Sequence, residues 1–137
     1  MPETEYGGLG LEELERKMSL LCQALDNHLE DIYGDHYTIH PNRLKRGKAA
    51  NPSFDGLFST SLAFTLGYGS KFGRGYVVNV EIRTLDKVSQ YEEADIRGAA
   101  FSFISQNLKK YLPDNDLQIV QDGNVMKIIG DFSLGEV

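Results

Sequence analysis

The sequence predicts an α+β fold in which two helices cover one face of a largely antiparallel sheet. Three observations support it: two amphipathic segments with helical spacing, a strongly alternating pair of segments around the glycine-rich turn 67–75, and an Asp-Gly-Asn turn near the C-terminus. Tight turns join neighbouring strands in antiparallel fashion, and amphipathic helices supply a second layer. The predicted order is α-(β)-β-β-α-β-β, a two-layer sandwich with four to five strands.

The first helix is predicted from about Leu11 to Tyr33. Apolar or weakly polar residues recur there at steps of three and four, which places them on one face of a helix. The members of this stripe are Leu11, Leu14, Met18, Leu21, Leu25, His28 and Ile32. Residues 36–40 can form a short strand, and residues 41–54 read as a polar, basic loop with a proline near each end.

The long hairpin from Leu57 to Leu85 predicts the first strand pair. Its apolar face alternates with a polar one, and this two-residue period is typical of an antiparallel sheet covered on one side. The residues predicted to face the helices are Phe58, Thr60, Leu62, Phe64 and Leu66 before the turn, and Tyr76, Val78, Val80 and Ile82 after it.

A second helix is predicted from about Tyr91 to Leu112, where Pro113 ends it. Its apolar side comprises Ile96, Ala99, Ala100, Phe103, Ile104, Leu108 and Tyr111. The last strand pair, 117–121 and 125–130, flanks Asp122-Gly123-Asn124, and Asp-Gly between apolar runs is a strong hairpin signal.

With 137 residues the chain is expected to form one domain. We predict a flexible N-terminus at 1–8, a single α+β domain at 9–131 and a flexible tail at 132–137. Cys22 is the sole cysteine, so no intrachain disulfide can form, which fits a reducing compartment. The sequence shows neither a signal peptide nor an apolar run long enough to span a membrane, so we expect a cytoplasmic protein without membrane contact.

Charge is distributed unevenly along the chain. The net charge of −6 combines −7 in residues 1–35, +5 in residues 36–89 and −4 in the remainder. The acidic total argues against nucleic acid as a partner, whereas the basic middle can form a local anion site. The candidate residues for binding an anion or a partner are Arg43, Lys45, Arg46 and Lys48 in the basic loop, and Tyr68, Lys71 and Arg74 in the glycine-rich turn.

The glycine-rich turn invites a nucleotide-binding interpretation. It departs from the dinucleotide and Walker fingerprints, because a strand follows it where those motifs need a helix. A dozen residues around it resemble the glycine-rich loop of protein kinases, but the chain lacks the His-Arg-Asp and Asp-Phe-Gly motifs and the strand lysine of that family. We therefore predict no cofactor and interpret the glycines as backbone residues of a long turn.

No arrangement of catalytic or metal-binding residues stands out. His36 and His40 lie about 13 Å apart if their segment is extended, too far to share a metal ion. The sequence thus predicts a non-catalytic binding or adaptor module that engages a protein partner or itself as a homodimer. The alternative is a binder of an anion, small ligand or nucleic acid through the 43–48 loop and the 67–75 turn, and an enzyme of unknown class comes third.

Overall fold

The computed structural model describes residues 3–51 and 54–132, with side chains from Glu12 onward. It contains two helices and four strands in the order α1 (Glu3–Tyr33), β1 (Phe58–Thr65), β2 (Gly75–Ile82), α2 (Gln90–Tyr111), β3 (Leu117–Asp122) and β4 (Val125–Gly130). None of the helices in this part of the chain combines the length and apolarity needed to span a membrane.

The four strands form one antiparallel sheet in the order β1-β2-β4-β3. Both helices pack against it, α1 over β1 and α2 over β3. The core between the layers is apolar and includes Leu25, Phe58, Ala100, Ile104 and Ile128, none more than 1% exposed. The predicted α+β two-layer sandwich is confirmed.

Helix α1 buries a stripe that follows the predicted one for most of its length. Leu14, Met18, Leu21 and Leu25 are buried as expected. At the C-terminal end, however, the stripe continues through Leu29 and Tyr33, and Ile32 is 45% exposed. A strict alternation of three and four averages 3.5 residues per turn, whereas the helix has 3.6, so the predicted stripe slowly rotates away from the sheet. Steps of four keep the residues at this end facing the sheet.

The start of α1 also differs from the sequence prediction. The helix begins at Glu3 instead of near Leu11, and it includes residues 3–8 of the segment predicted to be a flexible terminus. Three glycines between positions 7 and 10 each lower helix propensity by about 1 kcal/mol, which is why local patterning placed the start later. Of the predicted tail 132–137, residues 133–137 lie outside the described chain.

Helix α2 has clear local start signals. The Ser89 hydroxyl accepts a hydrogen bond from the Glu92 N–H, and the Glu92 side chain returns to the Ser89 backbone, forming a capping box. Lys109 and Lys110 lie in the last turn, where cations interact favourably with the helix dipole. The predicted apolar side is confirmed at its four buried positions Ile96, Ala100, Ile104 and Leu108.

Residues 36–40 form no strand, so the sheet has four strands. His40 N–H donates to the Arg83 carbonyl at 2.8 Å, but this single backbone contact does not extend into a ladder. The segment is instead held by side chains, since the Asp86 carboxylate accepts the Thr38 N–H at 2.7 Å.

The basic loop folds tightly against the start of β1. The Asp55 carboxylate is buried and accepts the N–H groups of Gly47 and Ala49, each at 2.9 Å. Gly56 has φ +70°, and a Cβ there would lie 2.5 Å from Glu30 Oε1. Glu30 uses that oxygen to accept the backbone N–H of Leu57. Helix α1 therefore fixes the entry into β1.

The glycine-turn end of β1 is less covered than the alternation predicts. Phe64 and Leu66 carry the inward-facing pattern, yet they are 52% and 55% exposed. Phe64 contacts Tyr76 at 5.4 Å between ring centroids, and Tyr76 contacts Phe132 at 5.1 Å. Because β1 is an edge strand, the far side of Phe64 has no neighbouring strand among the described residues.

Candidate binding site

Strand β2 is paired along one side and only partly along the other. β1 pairs with β2 over Gly75–Ile82, whereas β4 pairs only with Tyr76–Val78. The Arg83 N–H donates to the Leu57 carbonyl at 2.6 Å, so odd-numbered residues of β2 point their backbone groups toward β1 and even-numbered ones toward β4. Past Val125, where β4 begins, the backbone N–H and C=O of Val80 face an open edge and pair with no described residue.

A groove of about 440 Å³ lies along this open edge, between β2 and the first half of α2. Its lining is apolar toward the core and polar at the rim. The apolar residues are Val78, Val80, Ile82, Val88, Ile96, Val125 and Met126, and the polar ones are Asn79, Thr84, Asp86, Glu93, Arg97 and Asn124. The lining therefore mixes apolar and polar groups, and a concave surface with convergent polar groups can hold a ligand.

The charged groups at the rim already have partners. Arg97 lies 3.9 Å from Glu93, one turn away on α2, and Asp86 accepts the Thr38 N–H. Surface ion pairs of this kind contribute little to stability, but they leave few free charges for a ligand. The groove therefore offers an unpaired stretch of backbone, apolar side chains toward the core and few charges without a partner.

Two tyrosine–carboxylate contacts hold the C-terminal end of α1 and the following turn against the start of α2. Tyr33 donates to Asp95 at 2.8 Å, and Tyr37 donates to Glu92 at 2.6 Å. The bond to Glu92 raises the pKa of Tyr37 to about 12, and the same bond lowers the pKa of Glu92. Both shifts favour the neutral phenol paired with an ionised carboxylate at neutral pH.

Both arginines of the basic loop make contacts within the protein. Arg43 donates to the carbonyls of Asp55 and Gly56, each at 3.0 Å, and burial lowers its pKa. Arg46 pairs with Asp31 at 2.9 Å. Lys45 and Lys48 are exposed. The sequence pattern found the residues of this basic segment, but it could not show that Arg43 serves the backbone.

The residues predicted in the glycine-rich turn are all exposed. Tyr68 is 90% exposed, Lys71 lies 5.2 Å from the centre of the Phe72 ring, and Arg74 is exposed. This turn and the basic loop lie at opposite ends of β1, about 23 Å apart by the rise of a strand. The structure therefore does not bring the two groups of predicted residues together, nor does either group line the groove. Anion or nucleic-acid binding by them stays a prediction.

A buried lysine holds the glycine-rich turn against the outer face of the sheet. Lys127 is 2% exposed, and its ammonium group contacts Asp122 at 2.7 Å, the Gly73 carbonyl at 2.7 Å and the Ser70 hydroxyl at 3.1 Å. Ser70 in turn donates to Asp122 at 2.5 Å. The ammonium and hydroxyl groups lower the pKa of Asp122. All three ammonium protons have acceptors, so this cluster fixes the turn.

Sequence reasoning missed this cluster. Lys127 occupies a strand position that alternation assigns to the outer, solvated face, and nothing local marks it as buried. Gly67 contributes to the same fold, because its φ is +73° and a Cβ there would lie 1.9 Å from the Gly73 carbonyl oxygen. The interpretation of the glycines as backbone residues is consistent with this geometry.

A second groove, of about 280 Å³, lies between α1 and β1. Thr60 lines this groove, and its hydroxyl donates to Asp26 at 2.6 Å. Both residues are less than 5% exposed. Burial, together with the charge of Asp26, raises the pKa of Cys22 to about 12. A thiol of that pKa carries almost no thiolate at neutral pH, so Cys22 is not poised as a nucleophile.

Comparison with known proteins identifies relatives but no function. A family model described as "Uncharacterised protein" matches residues 10–130. A protein of Borreliella burgdorferi, also described as uncharacterised, is 47% identical over 120 residues, which cover 88% of this chain and 94% of the relative. No solved structure matches the chain. With a match that includes β1 to β4, α2 and most of α1, the chain belongs to this family of uncharacterised proteins.

Proposed function

We propose that this protein is a non-enzymatic binding module that takes an extended segment of a partner protein along the open edge of β2. The observation that carries the proposal is the unpaired backbone of Val80, which lies next to a groove with apolar side chains toward the core and polar ones at its rim. Backbone donors and acceptors in an extended strand are complementary to another extended strand, and many peptide-binding domains use this mode.

The geometry limits the length of the bound segment. The open part of the edge, Asn79–Ile82, is about 13 Å long by strand rise, which accommodates about four residues of an added strand. Such a strand would continue the line of β4, whose pairing with β2 ends at Val78. A contact of this size is typical of transient association.

The groove also favours certain side chains. The partner residue that pairs with Val80 points its side chain to the same face of the sheet, which is the face covered by α2. There Ile96 is 2% exposed and Met126 is 3% exposed, so an apolar side chain is preferred at that position. The adjacent partner residues face the opposite side of the sheet, where polar residues are tolerated.

The lining supports binding over catalysis. Its two carboxylates, Asp86 and Glu93, are engaged by the Thr38 N–H and by Arg97. A catalytic site needs a nucleophile or base within reach of a second reacting group, and the lining of this groove does not pair such groups.

A proline substitution tests the proposal directly. Val80→Pro removes the outward N–H but leaves the ladder to β1, because the neighbouring odd-numbered residues make those bonds. The matched control is Leu62→Pro, which removes an outward N–H from the other free edge of the sheet. Circular dichroism verifies that both variants fold.

The binding assay selects short peptides from a random library on the wild-type protein and measures their affinity for each variant. We expect the peptides to share an apolar residue, to bind Leu62→Pro as they bind wild type, and to lose at least tenfold in affinity for Val80→Pro. NMR shift changes should centre on Val80 and Ile96. Peptides that bind Val80→Pro equally well, or a selection that yields no binder, would contradict the proposal.

A further inference from the structure

The second free edge of the sheet belongs to β1. The odd-numbered residues of β1 pair with β2, so the backbone groups of Thr60, Leu62 and Phe64 point away from the sheet. The edge is closed only at its start, where Glu30 accepts the Phe58 N–H at 3.2 Å and Arg43 donates to the Phe58 carbonyl at 3.3 Å. From Thr60 to Phe64 no described residue pairs with it.

This edge lacks the features that keep edge strands apart. β1 spans eight residues, Phe58–Thr65, and contains neither a charged residue nor a proline. Natural proteins protect exposed edges with lysine, proline, bulges or short strands, because unpaired edges associate. The opposite edge strand, β3, is shorter at six residues and ends at a charged residue, Asp122.

The two ends of the β1 edge are complementary to each other. Near the glycine-rich turn, Phe64 projects an aromatic side chain that is 52% exposed. Toward the middle of the strand, Thr60 and Leu62 border the groove of about 280 Å³ that also contains Met18 and Cys22. A two-fold axis near Ala63 would bring the projecting ring of each copy over the groove of the other.

We propose that two copies of this chain pair antiparallel along β1 and form one continuous eight-stranded sheet. An interface about a two-fold axis uses the same patch on both copies, and this patch meets that condition because it carries both the ring and the groove. The chain has a net charge of −6, so two copies repel through most of their surface. The β1 strand itself adds no charge to such an interface, and Glu15 is the one charged residue among the described residues that line the adjoining groove. The proposal is independent of the peptide site, which lies on a different strand.

The test measures molar mass against concentration by light scattering or sedimentation for the wild type and three variants. Leu62→Pro removes a central outward N–H, and Phe64→Lys places a charge on the axis side of the edge; both should weaken dimerisation at least tenfold. Val80→Pro, the equivalent substitution on the other open edge, should leave the dimer unchanged. Phe64 is half exposed, so Phe64→Lys is expected to fold even if Leu62→Pro does not.

Amide hydrogen exchange provides a second readout. In the dimer, the N–H groups of Leu62 and Phe64 become paired, so their exchange should slow as the protein concentration rises, and this dependence should vanish in Phe64→Lys. A wild-type protein that stays monomeric up to about 1 mM overturns the proposal, because any association would then be weaker than a millimolar Kd. So does a dimer that survives both β1 substitutions.

Discussion

The buried contact between Thr60 and Asp26 allows a quantitative test of the core. Thr60 lies on β1 and Asp26 on α1, and the hydroxyl donates to the carboxylate at 2.6 Å. The two residues are 4% and 1% exposed, so water cannot replace the bond without a rearrangement. Thr60→Val keeps the shape of the side chain and removes only the donor.

The expected cost follows from the loss of one hydrogen bond to a buried polar group. Leaving such a group without its partner costs about 1–3 kcal/mol. Asp26 has a further interaction within the protein, so the carboxylate is not left without any partner, and the lower half of that range applies best. For a domain of this size, roughly 4 °C per kcal/mol predicts a fall in Tm of about 4–8 °C.

Urea denaturation followed by far-ultraviolet circular dichroism measures the free energy of unfolding of both proteins. Thr38→Val is the matched control, because Thr38 is exposed and its hydroxyl has no partner among the described residues. It should change stability by less than about 0.5 kcal/mol. Asp26→Asn keeps an acceptor for the hydroxyl, and in that background Thr60→Val should cost less than in the wild type.

Two results would refute this reasoning. If Thr60→Val is neutral or stabilising, the hydroxyl does not satisfy the buried carboxylate. If the cost of Thr60→Val is unchanged in the Asp26→Asn background, the charge of the carboxylate adds nothing to the hydrogen bond, contrary to the greater strength expected of bonds to charged groups.

Three further predictions concern the loops that hold the fold. Gly56→Ala should destabilise the protein by more than about 1 kcal/mol in the same denaturation assay, because its φ is positive and the new Cβ would approach Glu30. Gly47→Ala is the control: its φ is +87° but the space around it is open, so it should cost only the strain of the positive φ. Lys127→Met should speed amide exchange in the 67–75 turn and cost about 1–3 kcal/mol, because the Gly73 carbonyl loses its buried donor; unchanged exchange would show that the ammonium does not fix the turn. The pKa of Tyr37 is raised from 10 to about 12, so the stability from its hydrogen bond is fully present below pH 10 and is lost as pH rises through about 12. The free energy of unfolding, measured against pH, should therefore fall less in Tyr37→Phe than in the wild type over this range.

The sequence was most informative where local periodicity reports burial. Spacing along the chain located both helices and all four strands, and Pro113 and the Asp-Gly turn supplied boundaries. It was weaker at the ends of elements. Ile32 is exposed and residues 36–40 form no strand, because a local pattern indicates only a preference for a structure, and packing against other elements can override it.

The candidate site was not predicted from the sequence. The seven residues chosen for charge and exposure lie at two separate ends of β1, and the groove along β2 contains none of them. Its main feature is an unpaired stretch of backbone, which no side-chain pattern reveals. It exists because β4, which comes more than forty residues after β2 in the chain, pairs with only three residues of that strand.

By itself, the sequence determined the class of the fold. The spacing of apolar residues, every two positions in a strand and every 3.6 in a helix, reflects which side of each segment faces the core and can be read from that segment alone. Tertiary structure alone decided the sheet order, the two open edges, the burial of Lys127 and the pairing of Asp26 with Thr60. Those features depend on contacts between residues that are 34 or more positions apart, or on where one strand ends beside another. Such contacts form only when the whole chain packs, so local hydrophobic patterning does not predict them.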